Sequence, residues 1–161
     1  IGQRDVRWTP LAAANWMVTL LHGGPAAAPR AATSLRSADG IALERYGVRS
    51  VPGSGAALSP AVSASLRRML EKVAGEGGTA AALVSSRWPL AGKSGTAEDI
   101  VSGRPVVHQW FVGYGPADRP RYAVAVLAAS RPPNSSHLAT SLFGAVMDAL
   151  ASEEDLQHKA H

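Results

Sequence analysis

Apolar positions recur at helical spacing in three parts of the chain. In "TPLAAANWMVTLLHGG", residues 9–24, Leu11, Asn15, Val18 and Leu21 share one largely apolar face. Both ends of that helix are marked. Thr9 can accept from the first free amides, Pro10 suits the first helical position, and Gly23 can turn the chain out. The same grammar returns in "SPAVSASLRRMLEKVAGEGG": Ser59 caps, Pro60 opens, Gly75 stops. Val62, Leu66, Met69, Leu70 and Val73 form its stripe. "HLATSLFGAVMDALASEE" predicts a closing helix, with "DLQHKAH" after it expected to fray and a tail assigned to 153–161.

Elsewhere the period shortens toward two. "VVHQWFVGY" and "RYAVAVLAAS" are rich in β-branched and aromatic residues. Only "GPADRP" joins them, too short for a crossover helix, so the two strands should be antiparallel neighbours. The second run is apolar on both alternating faces, as in a strand covered on both sides. The Ala-, Pro- and Gly-rich passage up to Ala57 and Leu58 predicts loops with short strands, and "SVPGSG" is turn chemistry. "RWPLAGKSGTAE" looks extended up to about Ala91. The sum is an α/β fold of α+β type, an antiparallel sheet covered by helices, without internal repeats.

Composition changes this picture little. A chain of 161 residues is one domain or a large part of one, and 46% hydrophobic residues allow a real core. The net charge of +4 could suit nucleic acid, but the arginines are scattered and only Arg67 and Arg68 are adjacent. That is solvated surface charge, and no nucleic acid is expected as a partner. Without cysteine there is no disulfide framework and no thiolate chemistry. The apolar stretch from Leu11 to Leu21 is too short to span a bilayer. An exported protein with this sequence would have lost its targeting segment, or would be part of something longer. Of five histidines, only His158 and His161 have metal-ligand spacing, in the expected tail, and His22 and His108 sit in no triad motif. No metal and no cofactor is expected.

The candidate chemistry lies in "PLAGKSGTAE", residues 89–98. A phosphate-binding loop would need a glycine five positions before Gly92, where Arg87 stands, and a helix beginning at Lys93. The residues after Lys93 include Gly95, Gly103 and Pro105 and carry no helical stripe. A bland glycine-flanked turn is a second reading. Against it, the chain uses 13 arginines and three lysines, so a lysine here suggests that a compact, deprotonatable charge is wanted. The third reading is an acyl-transfer site. There, lysine and hydroxyl on a strand edge hold a carboxylate and relay protons, while glycine lets substrate lie against the backbone.

Several segments in order support the third reading. "IGQRDVRWTPLAAANWMVTLLHGG", "LSPAVSASLRRMLEKVAGEGGTA", "LAGKSGTAE" and "HQWFVGYGPADRPRYAVAVLAA" together resemble the C-terminal half of the transpeptidase domain of class B penicillin-binding proteins, from Ile1 to about Ala129. The resemblance implies a β-lactamase/transpeptidase-like fold over residues 1–152, and Lys93, Ser94 and Gly95 as the third catalytic motif of a serine D,D-transpeptidase. Lys93 would sustain the electrostatics and proton traffic. Ser94, in place of the usual threonine, would hold the substrate carboxylate with Thr96 beside it. The Thr96 backbone amide would be one oxyanion donor. Trp110 and Phe111 match the neighbouring strand, where their role is core packing. The implied partners are the D-Ala-D-Ala stem peptide of peptidoglycan and β-lactam antibiotics. The implied location is the extracytoplasmic face of the bacterial inner membrane, through an anchor outside this chain.

The departures are as informative. The nucleophile of that family sits in Ser-x-x-Lys, and the nearest pattern here, "SLRR" at Ser65 to Arg68, ends in an arginine that cannot act as a base. Ser-x-Asn is absent too, since Asn15 follows "AA" and Asn134 follows "PP". Arg4 replaces the glycine usual after "IGQ", and "SRPPNSSHLATSLFG" departs from the usual link into the last helix. In the family the nucleophile helix and two further strands come before this region. The chain is therefore expected to supply one wall of the site, to expose a sheet face and a strand edge, and to pair with the N-terminal half of the domain or another chain supplying it. The competing reading is a non-catalytic, truncated or degenerate copy acting through a partner.

Overall fold

The computed structural model describes residues 7–23, 25–47, 49–52, 58–131 and 137–159. Arg4, most of the "VPGSG" turn, Asn134 and His161 lie outside them. The elements are α1 (Pro10–His22), β1 (Ser34–Arg36), β2 (Ala42–Arg45), α2 (Pro60–Ala74), a 3-10 turn (Ala81–Ser85), β3 (Ala91–Val101), β4 (Arg104–Gly115), β5 (Tyr122–Ser130) and α3 (Leu138–Lys159).

The helix ends follow their local chemistry. The Thr9 side chain accepts from the Ala12 amide at 3.1 Å, and Gly23, at φ 65°, donates to the Thr19 carbonyl. Ser59 accepts from the Val62 amide, and the Gly75 amide closes α2 onto the Glu71 carbonyl at 3.0 Å. The faces match expectation in part: Leu21, Leu70 and Val73 of the two stripes pack on the core, while other members do not. In α1 the buried residues are Ala13, Met17, Thr19 and Leu20, whereas Leu11 is 63% exposed. Asn15 ties the helix to the Ala27 carbonyl at 2.8 Å. In α2 the buried positions are Ser63 and Ala74, with Val62 and Met69 exposed. The small Ser63 lets the two helices approach, and its hydroxyl donates to the Leu20 carbonyl. The buried face of α1 thus carries Met17 and Leu20 and not Leu11, and in α2 the most buried positions are small.

β3, β4 and β5 form an antiparallel sheet in that order, with β3 running Ala91↔Tyr114 to Val101↔Arg104 and β4 meeting β5 from Gly115↔Tyr122 to Val107↔Ser130. The two long runs are thus antiparallel neighbours, as their short connection requires. Residues 87–90 stand outside the ladder, so the extended stretch begins at Ala91 and runs through the GKSGT segment. β1 and β2 make a separate short hairpin in the Ala-, Pro- and Gly-rich passage.

Alternation assigns the two sheet faces. On one, Phe111 packs against Phe143 of α3, centroids 4.6 Å apart, with Leu90, Ala128, Met147, Val124 and Val126 around them. On the other, Tyr114, Ala91, Val112 and Ala123 meet Met17 and Leu21 of α1 and Leu70 of α2. The first half of β5 is therefore covered on both sides. Its second half is not, because Leu127 is 40% exposed and Ala129 is exposed beside it on the α1 face.

α3 continues to Lys159, past residue 153, the expected start of the tail. Tertiary bonds hold its last turns. Glu154 accepts from the Tyr122 hydroxyl at 2.6 Å and pairs with Arg121, and Asp155 pairs with Arg87 at 2.6 Å.

Candidate functional site

The sequence-derived residues Lys93, Ser94, Gly95 and Thr96 lie in the first half of β3, an edge strand of the sheet among the described residues. A strand here removes the phosphate-loop reading, since free helical amides would have to begin at Lys93. Across the ladder Lys93 faces Val112, Ser94 faces Phe111, Gly95 faces Trp110 and Thr96 faces Gln109. Lys93 and Gly95 therefore share the face of Trp110 and α1, while Ser94 and Thr96 share the face of Phe111 and α3.

The closing turn of the hairpin sets which backbone groups look outward. Val101 and Arg104 are joined by two residues, Ser102 at φ 52° and Gly103 at φ 74°, both left-handed as in a type I′ turn. Such a turn makes Val101–Arg104 a hydrogen-bonded pair, and bonded pairs then alternate with non-bonded ones. Pro105, which has no amide hydrogen, falls opposite Ile100 at a non-bonded position, as this phase requires. Continued along β3, the phase turns the backbone N–H and C=O of Ser94 and Thr96 toward the outer edge. Lys93, Gly95 and Ala97 bond across to β4.

Two glycines flank Lys93, and their surroundings differ. A Cβ at Gly92 would stand 2.5 Å from the Phe111 ring and 2.7 Å from the Val112 carbonyl oxygen, so packing inside this chain demands glycine there. A Cβ at Gly95 would meet only the Trp110 Cβ, at 3.7 Å, an ordinary contact. Nothing described in this chain requires position 95 to lack a side chain.

Lys93 is exposed, and its ammonium group donates to the Ser94 carbonyl at 2.7 Å. It folds along its own strand. A cavity of about 610 Å³ lies at the start of β3, between the end of α2, the 3-10 turn and the β4–β5 turn, and leaves Lys93 out. Phe111 is wholly buried, in keeping with the packing role expected of it. Trp110 is half-buried on the opposite face beside exposed Gly95 and Leu127.

Sequence reasoning passed over two features here. The α1 face is covered at its Tyr114 end and open at the end bearing Gly95, Trp110, Leu127 and Ala129, beside the lysine. The other feature is Gln109, 3% exposed, whose side-chain oxygen accepts from the Leu138 amide at 3.0 Å. A signal for it existed. In β4 the buried phase runs Val107, Gln109, Phe111, Gly113, and one polar residue in such a row needs a partner.

Comparison with known proteins bears on what this strand belongs to. The penicillin-binding protein transpeptidase domain matches residues 1–148. The peptidoglycan D,D-transpeptidase PbpA of Mycobacterium tuberculosis is 33% identical over 131 residues, covering 79% of this chain and 25% of that protein. The chain thus spans about a quarter of the length of the curated relatives it matches. Among solved structures, PBPA from Mycobacterium tuberculosis superposes with TM-score 0.69 at 30% identity, over 94% of this chain and 34% of that one. Penicillin-binding protein 2B of Streptococcus pneumoniae superposes with TM-score 0.75 over 91% of this chain and 25% of that one, a likeness of fold at 22% identity. A penicillin G acyl-enzyme complex of penicillin-binding protein A from M. tuberculosis aligns at 34% identity and TM-score 0.61, over 80% of this chain and 27% of that one. With the match running through the Lys93 strand and the helices packed on the sheet, the chain belongs to the transpeptidase-domain family of class B penicillin-binding proteins.

Proposed function

We propose that this chain forms the strand side of a serine D,D-transpeptidase site that cross-links peptidoglycan. The observation that carries the reading is the phase of β3: Lys93 on an edge strand, with the backbone of Ser94 and Thr96 turned outward past Gly95. A substrate backbone laid along that edge meets outward amides and carbonyls in the manner of an added strand. The serine hydroxyl of a Ser-x-x-Lys motif in the remainder of the domain attacks the carbonyl of the penultimate D-alanine. The bond to the terminal D-alanine breaks, and that residue leaves with a proton. The amine of a second stem peptide then attacks the ester, the serine recovers its proton, and a new amide remains. β-Lactams enter the first step and stall at the acyl-enzyme.

Within this scheme Lys93 supplies positive charge beside the reacting serine. Ser94 and Thr96 hold the substrate carboxylate through their hydroxyls, and the Thr96 amide donates to the developing oxyanion. Gly95 keeps the strand face clear for the peptide. The uncovered face at Trp110, Leu127 and Ala129 takes the nucleophile-bearing half of the domain. The protein works on the outer side of the inner membrane, held by an anchor outside this chain; among the described residues no helix is long and apolar enough to cross a membrane.

The test is acylation of the full-length protein by a fluorescent penicillin. The intact protein labels on a serine outside these 161 residues, and Lys93→Ala slows labelling at least about a hundredfold, the scale of losing a proton-transfer or oxyanion group. An unlabelled protein whose coding sequence before Ile1 carries no Ser-x-x-Lys would instead establish the non-catalytic reading, in which the same open face binds a partner chain.

A further inference from the structure

We propose that Gln109 is a positioning residue for the reactive strand, steadying the backbone of Thr96 by tying the β4 position opposite it to the first turn of α3. This rests on the transpeptidase reading for its consequence, though not for its geometry. Gln109 and Thr96 face each other at a non-hydrogen-bonded position of the β3–β4 ladder, the kind in which opposed side chains stand closest. Both belong to the sheet face on which α3 packs, Gln109 under the helix and Thr96 exposed beside it. The Gln109 side chain is 3% exposed, and its oxygen accepts from the Leu138 amide, the first residue of the helix.

A helix start is ordinarily satisfied by a residue just before it. Here an acceptor arrives from a strand 29 positions away in sequence. The start of α3 is thereby tied to the middle of β4, at the residue that stands opposite Thr96 in the ladder. The neighbouring contacts on this face are apolar. Phe111, opposite Ser94, packs on Phe143, and a Cβ at Gly113, opposite Gly92, would come within 2.9 Å of the same ring. Those contacts can slide by a fraction of an ångström at little cost, whereas a buried hydrogen bond fixes distance and direction. β3 is located by its ladder to β4 and by α2 packed against it. On the ladder side the residue opposite Thr96 is Gln109, so the placement of Gln109 bears directly on that of the Thr96 backbone. Because oxyanion donors act only when aimed at the developing charge, a small drift there costs rate before it costs binding.

The experiment compares Gln109→Leu, which keeps approximate size and removes the acceptor, with Gln109→Glu, which keeps it. A control, Ser63→Ala, removes a buried hydrogen bond on the α1–α2 side. Hydrogen exchange of the Gly95 and Ala97 amides, which bond to β4 on either side of Thr96, is read in the full-length protein at a temperature where every variant is folded. Gln109→Leu speeds exchange at both amides, while Gln109→Glu and Ser63→Ala leave them near the starting rates. In penicillin labelling, Gln109→Leu lowers the acylation rate constant about tenfold with initial binding unchanged, and Gln109→Glu restores most of it. Unchanged exchange at Gly95 and Ala97 in Gln109→Leu, or an equal effect from Ser63→Ala, overturns the proposal. A protein that penicillin never labels would count against the transpeptidase reading alone, because the exchange comparison decides the role of Gln109 without it.

Discussion

Gly92 and Gly95 look alike in the sequence, one on each side of Lys93 and Ser94, but their environments separate them. A side chain at 92 has nowhere to go, since the Phe111 ring and the Val112 carbonyl both stand inside contact distance. Gly92→Ala should therefore lower the stability of the fold by about 1–3 kcal/mol, the usual cost of overpacking a filled core. Chemical denaturation at constant m-value measures it. Gly95→Ala should change stability by less than about 0.5 kcal/mol and still slow penicillin acylation, because the space it fills is the face offered to the substrate. A Gly95→Ala protein that is acylated at the native rate would remove position 95 from the site. The motif at Lys93 was legible because a lysine among arginines, bracketed by glycines, is unusual in this chain. What each glycine is for was not, since that depends on Phe111 and Trp110, brought alongside by the ladder.

At the level of elements, starts and stops were written in the chain and buried faces were not. Thr9, Pro10 and Gly23, or Ser59, Pro60 and Gly75, act on amides and carbonyls within one turn, so neighbouring residues suffice to reveal them. Which side of α1 is buried depends on the sheet beneath it, which takes Ala13, Met17 and Leu20 and leaves Leu11 exposed. The end of α3 escaped sequence reading for the same reason. Its last turns are polar, and what holds them are Tyr122, Arg121 and Arg87, distant in sequence. That latch has a measurable pH signature. The hydrogen bond to Glu154, with burial adding to it, raises the Tyr122 hydroxyl above its ordinary 10.0, and burial foremost raises Tyr114. A raised value means that the folded state holds the proton more tightly than the unfolded chain. The contribution is thus complete below pH 10.0 and is lost as pH climbs through the folded values. Stability should fall on the alkaline side, with a shallower fall in Tyr122→Phe. At neutral pH, Glu154→Gln should cost about 1 kcal/mol, since it exchanges a charged acceptor for a neutral one at a partly exposed site. Thermal unfolding from pH 8 to 11 reads both effects, and parallel curves for Tyr122→Phe and the parent would exclude the latch from the alkaline loss.

The whole molecule is asymmetric in how well its sheet is covered. α3 backs one face, whereas α1 and α2 cover only the Tyr114 end of the other, leaving Trp110 half-buried and Leu127 40% exposed above an open edge strand. An apolar face beside strand edges that carry no further strand among the described residues favours association, because each copy can bury another's surface and extend its ladder. The 161 residues alone should therefore self-associate at micromolar concentration. Leu127→Glu, which puts a charge in the middle of that face, should shift light scattering toward a single monomeric species without loss of helix or strand in circular dichroism. The same preparation offers a chemical check on where the nucleophile resides. Charge, hydroxyls and an outward backbone are present on β3, but no serine here is followed three residues later by lysine. Arginine at position 68 stays protonated and cannot activate Ser65. Mass spectrometry after incubation with penicillin should therefore find the polypeptide unmodified, even at antibiotic concentrations that saturate the full-length protein. A covalent adduct on any of these serines would mean that the strand bearing Lys93 can activate a nucleophile of its own, and that the proposed division of the site between two halves of the domain is wrong.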